Sequence, residues 1–168
     1  MARALLAADE DARIIAGGQT LVPLMAMRLA RPARLVDISR IASLAFVRDD
    51  GDAVEIGAIT RQCIAERDLV VRAKLPLLAK ALPWVGHAPT RARGTVGGSL
   101  ANADPAAEIA LVAVTLGATL SYRDGSATTD VAADRFFSGP MMTVMPSTAC
   151  LTAVRFPVWR GRIGAGFA

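Results

Sequence analysis

Histidine is almost missing from this sequence. His87 is the only one in 168 residues, which excludes a metal site built on several imidazoles. Cysteine is nearly as scarce. Cys63 and Cys150 stand in unrelated contexts, match no metal-ligand spacing and read as reduced, partly buried thiols. Aromatic residues make up 5% of the chain, with a single tyrosine and two tryptophans. No aromatics interleave with the arginines, as a nucleic-acid groove would require. The longest apolar stretch, Ile109 to Leu120, is too short to span a bilayer. The start of the chain carries Asp9, Glu10 and Asp11 and lacks the apolar core of a secretory leader, so a cytoplasmic location is expected. Internal repeats, low-complexity linkers, GxGxxG and GxxxxGK[ST] are also absent.

What remains is a composition for burial. Hydrophobic residues reach 53%, charged residues 20%, and mean hydropathy is +0.40, which places the chain among globular proteins. The net charge is +4, carried almost entirely by scattered arginine. Only Arg28, Arg31, Arg34 and Arg40 cluster, as a solvated helix end or a subunit contact would. A positive field also favours a diphosphate ligand.

Local patterns divide the chain in two. Residues 2–8 read as the end of a helix, rich in alanine and leucine. "RIIAG" is a short buried strand, ended by glycine. Past Gly17 and Gly18, the spacing of Leu21, Leu24, Met25, Arg28 and Leu29 predicts a helix that Pro32 stops. "RLVDIS" is a second strand. "AFVRDD" and "AVEIGA" then form a hairpin around "DDGD". From Thr60, a good N-cap, a mostly helical stretch runs to Gly86, cut at Pro76 and Pro83. "GHAPTRARGTVGGSL" reads as a loop. "DPAAEIALVAVTLGA" reads as a helix capped by Asp104. A hairpin turns at Asp124-Gly125, "DRFFSGPMM" connects, and "ACLTAVRFPVW" is a last strand. The expected fold is α+β. A small α/β unit over residues 1–48 precedes a larger mixed unit over 49–168 with a mainly antiparallel sheet.

The chemistry lies in two glycine pairs. "AGGQTLVPLM" begins at Ala16, and "TVGGSLANADPAAE" begins at Thr95. Glycines at an elbow expose backbone N–H groups with no side chain in the way. Such amides, with the positive end of a helix, suit phosphate oxygens. Gln19 and Thr20 add donors at the first elbow, Thr95 and Ser99 at the second. One elbow fits one phosphate; two brought together fit a diphosphate, so a dinucleotide is the expected ligand. Taken singly, each pair reads first as a tight turn, the commonest use of paired glycines.

At these residues the chain resembles the FAD-binding medium subunit of molybdenum hydroxylases, the carbon monoxide dehydrogenase and xanthine dehydrogenase family. The resemblance rests on "AGGQTLVPLMAMRLARPARLVDISRI", "IGAITR", "LPLLAKALPWVGHAPTRARGTVGGSLANADPAAE" and "LTAVRFP". It implies the fold of those flavoproteins and FAD as cofactor. It also implies a small iron–sulfur subunit and a large molybdopterin subunit as partners, with molybdopterin and the clusters held only there, and an external electron acceptor. The first glycine loop maps onto Ala16, Gly17, Gly18, Gln19, Thr20 and Leu21, the second onto Thr95, Val96, Gly97, Gly98 and Ser99, both around the pyrophosphate. The acid on the ribityl chain maps onto Glu108, and residues lining the flavin map onto Val85, Gly86 and Leu151.

Several of these have plainer readings. Glu108 also suits the first turn of a helix by its charge. Asn102 either hydrogen-bonds the flavin or shapes a turn. Asp104 reads as a cap and His87 as loop structure. Arg91 and Arg93 either touch phosphate or brace the loop, and Thr60 is either near the cofactor or a helix cap. The family pattern has a strand and half a helix more at the start, and a third domain after the residues that match Gly166–Ala168. The resemblance therefore implies a flavin less covered on one side. The expected function is electron transfer from iron–sulfur clusters through FAD; the alternative is a non-catalytic structural or assembly module with the same fold.

Overall fold

The computed structural model describes residue 9, residues 11–161 and residues 164–167. The helix expected over residues 2–8 lies outside them. Two hydrophobic clusters organise the chain, each built on its own sheet.

The smaller unit pairs β1 (Ala12–Ile15) with β2 (Arg34–Asp37) in parallel register, Ala12 opposite Arg34 and Ile15 opposite Asp37. A parallel pair needs a crossover, supplied by the glycine elbow and α1 (Leu21–Ala26). Ala12, Val36, Ile38 and Ile59 form its buried centre. α1 is shorter than its apolar spacing predicts. Arg28 adopts φ 61°, and the Leu24 carbonyl accepts from both Leu29 and Ala30 N–H groups. This left-handed closure ends the helix before Pro32 is reached.

The larger unit is a five-stranded, wholly antiparallel sheet in the order β3-β4-β9-β5-β6. Its strands are β3 (Val47–Asp49), β4 (Ala53–Gly57), β5 (Thr119–Asp124), β6 (Ala127–Ala132) and β9 (Cys150–Pro157). β3 straddles the boundary expected at residue 48. The last strand takes the central place, and Leu151, Val154 and Phe156 are buried along it. Helices α2 (Gln62–Arg67), α3 (Leu69–Lys74) and α4 (Pro76–Ala81), a 3-10 turn (Leu82–Trp84) and α7 (Glu108–Thr115) form the layer over this sheet. Val54, Ile56, Leu78, Leu100, Ile109, Phe136 and Phe156 are fully buried there.

Three local expectations are corrected. Thr60 caps no helix: its hydroxyl donates to the Phe46 carbonyl and accepts from the Phe46 N–H, stitching β3's approach to β4's exit. Asp104 is not the cap of α7. It accepts from the Ala106 N–H in a turn, and α7 starts at Glu108 behind Ala107. The stretch from His87 to Leu100 is not a loop but holds two short helices, α5 (Ala88–Arg93) and α6 (Val96–Asn102). Pro89 lies in the first turn of α5, where its missing N–H costs nothing. Thr95 caps α6 by accepting from the Gly98 N–H at 3.0 Å. The connector after β6 contains α8 (Ala133–Phe136), β7 (Phe137–Gly139) and β8 (Met142–Thr143).

The β3–β4 turn carries a pH dependence. Lys74, 2.6 Å from Asp49, and the Gly51 N–H hold the Asp49 carboxyl below its ordinary range. Arg155 does the same for Asp50, helped by the Ala53 N–H. A carboxylate with a depressed folded pKa stabilises above its unfolded value, near ~3.9, and that contribution disappears as pH falls through the folded value. Carboxyl-carbon NMR titrations of Asp49 and Asp50 should therefore give midpoints below the ordinary value. Amide protection in the hairpin should fall across the same low-pH window.

Candidate functional site

The two units meet at a seam made by backbone. The Leu44 carbonyl of the smaller unit accepts from the Ile59 N–H of the larger one, whose side chain joins the smaller core. On the larger unit's side of the seam the Thr60 carbonyl accepts from Val96 N–H, Gly94's carbonyl accepts from Gln62 N–H, and Arg61 bridges Thr95. The first glycine elbow lies across this seam. A Cβ at Gly17 would sit 2.4 Å from the Arg93 carbonyl oxygen and 2.8 Å from the Gly94 Cα. Only glycine permits two backbones to cross this closely.

A cavity of about 660 Å³ runs along the seam. Ala16, Gly17, Gly18, Gln19, Thr20 and Leu21 line one side, and Thr95, Gly97, Gly98 and Ser99 face them from the other. Val85, Asn102, Glu108 and Leu151 also open onto it. Gly86 and Val96 lie outside the lining, and Val96 is fully buried in the main core. The glycine pairs, about eighty residues apart in sequence, thus border one hollow.

The elbows are not equivalent. Among the described residues, no hydrogen bond within the chain occupies the N–H groups of Gly17, Gly18, Gln19 or Thr20. At the second elbow the four amides from Val96 to Ser99 are already used. Val96 N–H donates to Thr60, Gly97 N–H to Ala58, Gly98 N–H to the Thr95 hydroxyl and Ser99 N–H to the Thr95 carbonyl. The expected second run of open amides is therefore corrected: the first elbow offers backbone donors, the second offers hydroxyls. The Thr95 oxygen accepts from Gly98, and among the described residues nothing accepts from its own hydroxyl. Gly97 is there for packing, since a Cβ would lie 2.5 Å from the Ala58 Cβ.

Arg91 proves to be a brace. Its Nε donates to Glu66 at 2.8 Å and its Nη1 to the carbonyls of Val85 and Gly86 at 3.3 and 3.1 Å. That grip fixes the Val85 wall through a turn in which Gly86 has φ +49°. Arg93 and Arg61 face a second hollow of about 440 Å³ on the far side of the Gly17–Gln19 loop, with Asp37 and Ser39. His87 is exposed just ahead of α5 and lines neither hollow.

Sequence reasoning missed one wall and one side chain. Met141, Thr143, Met145 and Ser147 line the cavity from the β7–β8 hairpin and the loop after it. Met141 (φ 57°) donates its N–H at 2.8 Å to the carbonyl of Ala103 (φ 50°). Two non-glycine residues in the left-handed region, each costing about 1 kcal/mol, mark a strained contact beside the cavity. Nothing in "SGPMMTVMPS" announces this. The missed side chain is Gln62, buried at 5% exposure in the lining. Cys150 also lines the cavity. Burial pushes its thiol pKa up, which keeps it protonated and unsuited to nucleophilic chemistry.

A parallel β-elbow-α-β unit leaning on an antiparallel sheet, with an elbow of unpaired amides and a pair of hydroxyl side chains lining one cavity, is the arrangement of a dinucleotide-binding domain. The chain belongs to the family described as the FAD binding domain in molybdopterin dehydrogenase, which it matches over residues 1–159. It is 36% identical over 160 residues to the caffeine dehydrogenase subunit beta of Pseudomonas sp. (strain CBB1), covering 95% of this chain and 54% of that protein. It is 35% identical over 162 residues to the carbon monoxide dehydrogenase medium chain of Hydrogenophaga pseudoflava, covering 94% and 54%. The solved structure of carbon monoxide dehydrogenase from Hydrogenophaga pseudoflava superimposes with a TM-score of 0.92 at 35% identity, covering 95% of this chain and 56% of that one. The chain spans about half the length of the curated relatives it matches. Among the described residues, no helix is long and apolar enough to cross a membrane.

The residues fit FAD. The Gly17–Thr20 amides and the Thr95 hydroxyl supply donors that a diphosphate needs. Glu108 and Asn102 offer acceptors and a donor suited to sugar hydroxyls, and Val85 and Leu151 offer apolar surface suited to a ring system.

Proposed function

We propose that this chain is the FAD-holding part of an electron-transfer subunit in a molybdenum hydroxylase complex. Electrons arrive from iron–sulfur clusters of a small subunit, after substrate oxidation on a large molybdopterin subunit, and leave to an external acceptor. The names of the relatives, a subunit beta and a medium chain, support membership of a multi-subunit oxidoreductase. FAD supplies the redox chemistry when bound, and the protein supplies binding, orientation and tuning.

The observation that carries the reading is the shared cavity, with open amides of Gly17–Thr20 on one side and the Thr95 and Ser99 hydroxyls on the other. In this reading Ala16 to Leu21, Thr95 and Ser99 hold the pyrophosphate. Glu108 and Asn102 take the ribityl hydroxyls. Val85 and Leu151 flank the isoalloxazine, with Gly86 shaping that wall. Val96, Gly97 and Gly98 hold the second elbow in place rather than donating to phosphate. No general acid or base is required of this chain, in keeping with its single histidine. The refolded or purified full chain should take up FAD in a one-to-one ratio, with a flavin absorption band that survives desalting. A chain that stays colourless after incubation with excess FAD would overturn the reading in favour of a structural or assembly module.

A further inference from the structure

Gln62 is the first residue of α2 and is tied to the seam by its own N–H, which donates to the Gly94 carbonyl at 2.9 Å. The residue is 5% exposed and lines the cavity. The Oε1 atom is buried and has no hydrogen-bond partner, the one such side-chain atom among the described residues. It is held behind Gly94, where a Cβ would lie 2.7 Å from it. The Nε2 atom is not among the buried atoms that lack a partner, and it has no hydrogen bond to any of the described residues. A buried amide that forgoes a partner on one atom and presents two N–H donors on the other is costly unless something outside the chain accepts them.

The place of that donor is fixed by its neighbours. Gln62 rests against Gly94, and Gly94 is the residue against which Gly17 crosses. Thr95, next in sequence, offers its hydroxyl to the same cavity. The amide therefore belongs to the donor set of the two elbows, not to the apolar wall at Val85. We propose that Gln62 is a binding residue for the diphosphate of the dinucleotide, donating from Nε2 to a phosphate oxygen. This rests on the FAD reading above. With the amide turned over, Oε1 would face the phosphate and repel it, so the ligand selects the orientation with Oε1 behind Gly94.

Binding of three probes to the full chain tests this: FAD, ADP, which carries the diphosphate without flavin, and riboflavin, which carries flavin without phosphate. Gln62→Met keeps the volume and removes the donor. It should weaken FAD and ADP in parallel by about tenfold, as for a charge-assisted hydrogen bond, and leave riboflavin unchanged. Gln62→Glu puts a negative charge at the same place and should weaken FAD and ADP by about a hundredfold, with a salt dependence that Gln62→Met lacks. Equal FAD and ADP affinities in wild type and Gln62→Met would overturn the inference while leaving the FAD reading intact, as would equal losses for all three probes. A wild-type chain that binds neither FAD nor ADP would overturn both.

Discussion

Gly97→Ala should lower the stability of this protein by about 3 kcal/mol, a fall in melting temperature of about 10 °C for a chain of this size. Gly97 is buried in the first turn of α6, and a methyl there would lie 2.5, 2.6 and 2.7 Å from the Cβ, Cα and carbonyl oxygen of Ala58. None of these can rotate away, because Ala58 is itself fixed: its N–H donates to Thr152 of the central strand and its carbonyl accepts from Gly97. The methyl must therefore push α6 off the sheet. That loses the Gly97–Ala58 hydrogen bond and loosens Val96 and Leu100, both fully buried. A matched control is Gly117→Ala. Gly117 has φ +67° but nothing within 4 Å of a Cβ, so only backbone strain of about 1 kcal/mol applies. Thermal unfolding of the two variants should differ severalfold in effect. Equal losses would mean that backbone conformation, not the close approach to Ala58, is what position 97 requires.

The same contrast explains which parts of the sequence were legible. β1, β2, the two long hairpins and β9 follow from alternation and turn chemistry, because for a strand in a half-buried sheet the side-chain period is the fold signal. The stretch from His87 to Ser99 misleads because its Gly, Pro and Arg content argues against helix. Those propensities are overridden by tertiary contacts: Thr95 caps α6, and Gly97 and Gly98 are tolerated since anything larger would strike Ala58 or the Thr95 hydroxyl. The end of α1 is invisible for the opposite reason. Leu29 continues the apolar spacing, yet Arg28 turns left-handed and closes the helix early.

The candidate site was legible as far as its glycines and hydroxyls, which stand in recognisable strings. Three of its properties exist only in three dimensions. The amides from Val96 to Ser99 are taken by Thr60, Ala58 and Thr95. Met141 and Met145 arrive from a hairpin that reads as a connector. Gln62, within "TRQCIAE", looks like any solvent-facing helix residue until burial and the lack of a partner for Oε1 are seen.

The largest functional effect is expected at the other elbow. Gly17→Ala places a methyl 2.4 Å from the Arg93 carbonyl oxygen and 2.8 Å from the Gly94 Cα. Here the obstructing atoms are backbone from the larger unit, while Gly17 belongs to the smaller one, whose β1–β2 sheet has its own small core. The strain is relieved most cheaply by shifting the whole elbow away from the seam. That widens the gap between the Gly17–Thr20 amides and the Thr95 hydroxyl, so a ligand held from both sides loses half its donors. FAD affinity should fall by about a hundredfold, equivalent to losing two good hydrogen bonds to a charged group. The main sheet, with Phe136, Phe156 and Ile109 in its core, should keep its melting temperature to within a few degrees. Gly18→Ala separates this from a general intolerance of the loop. Gly18 has φ +70° and its Cβ would meet only the side chains of Val22 and Ile15, at 3.1 and 3.3 Å. That variant should lose affinity through local strain alone, by about tenfold. Should Gly17→Ala bind FAD as tightly as Gly18→Ala, the close crossing at Gly94 would not be what holds the two sides of the cavity at ligand distance, and the site would have to be rebuilt around the larger unit alone.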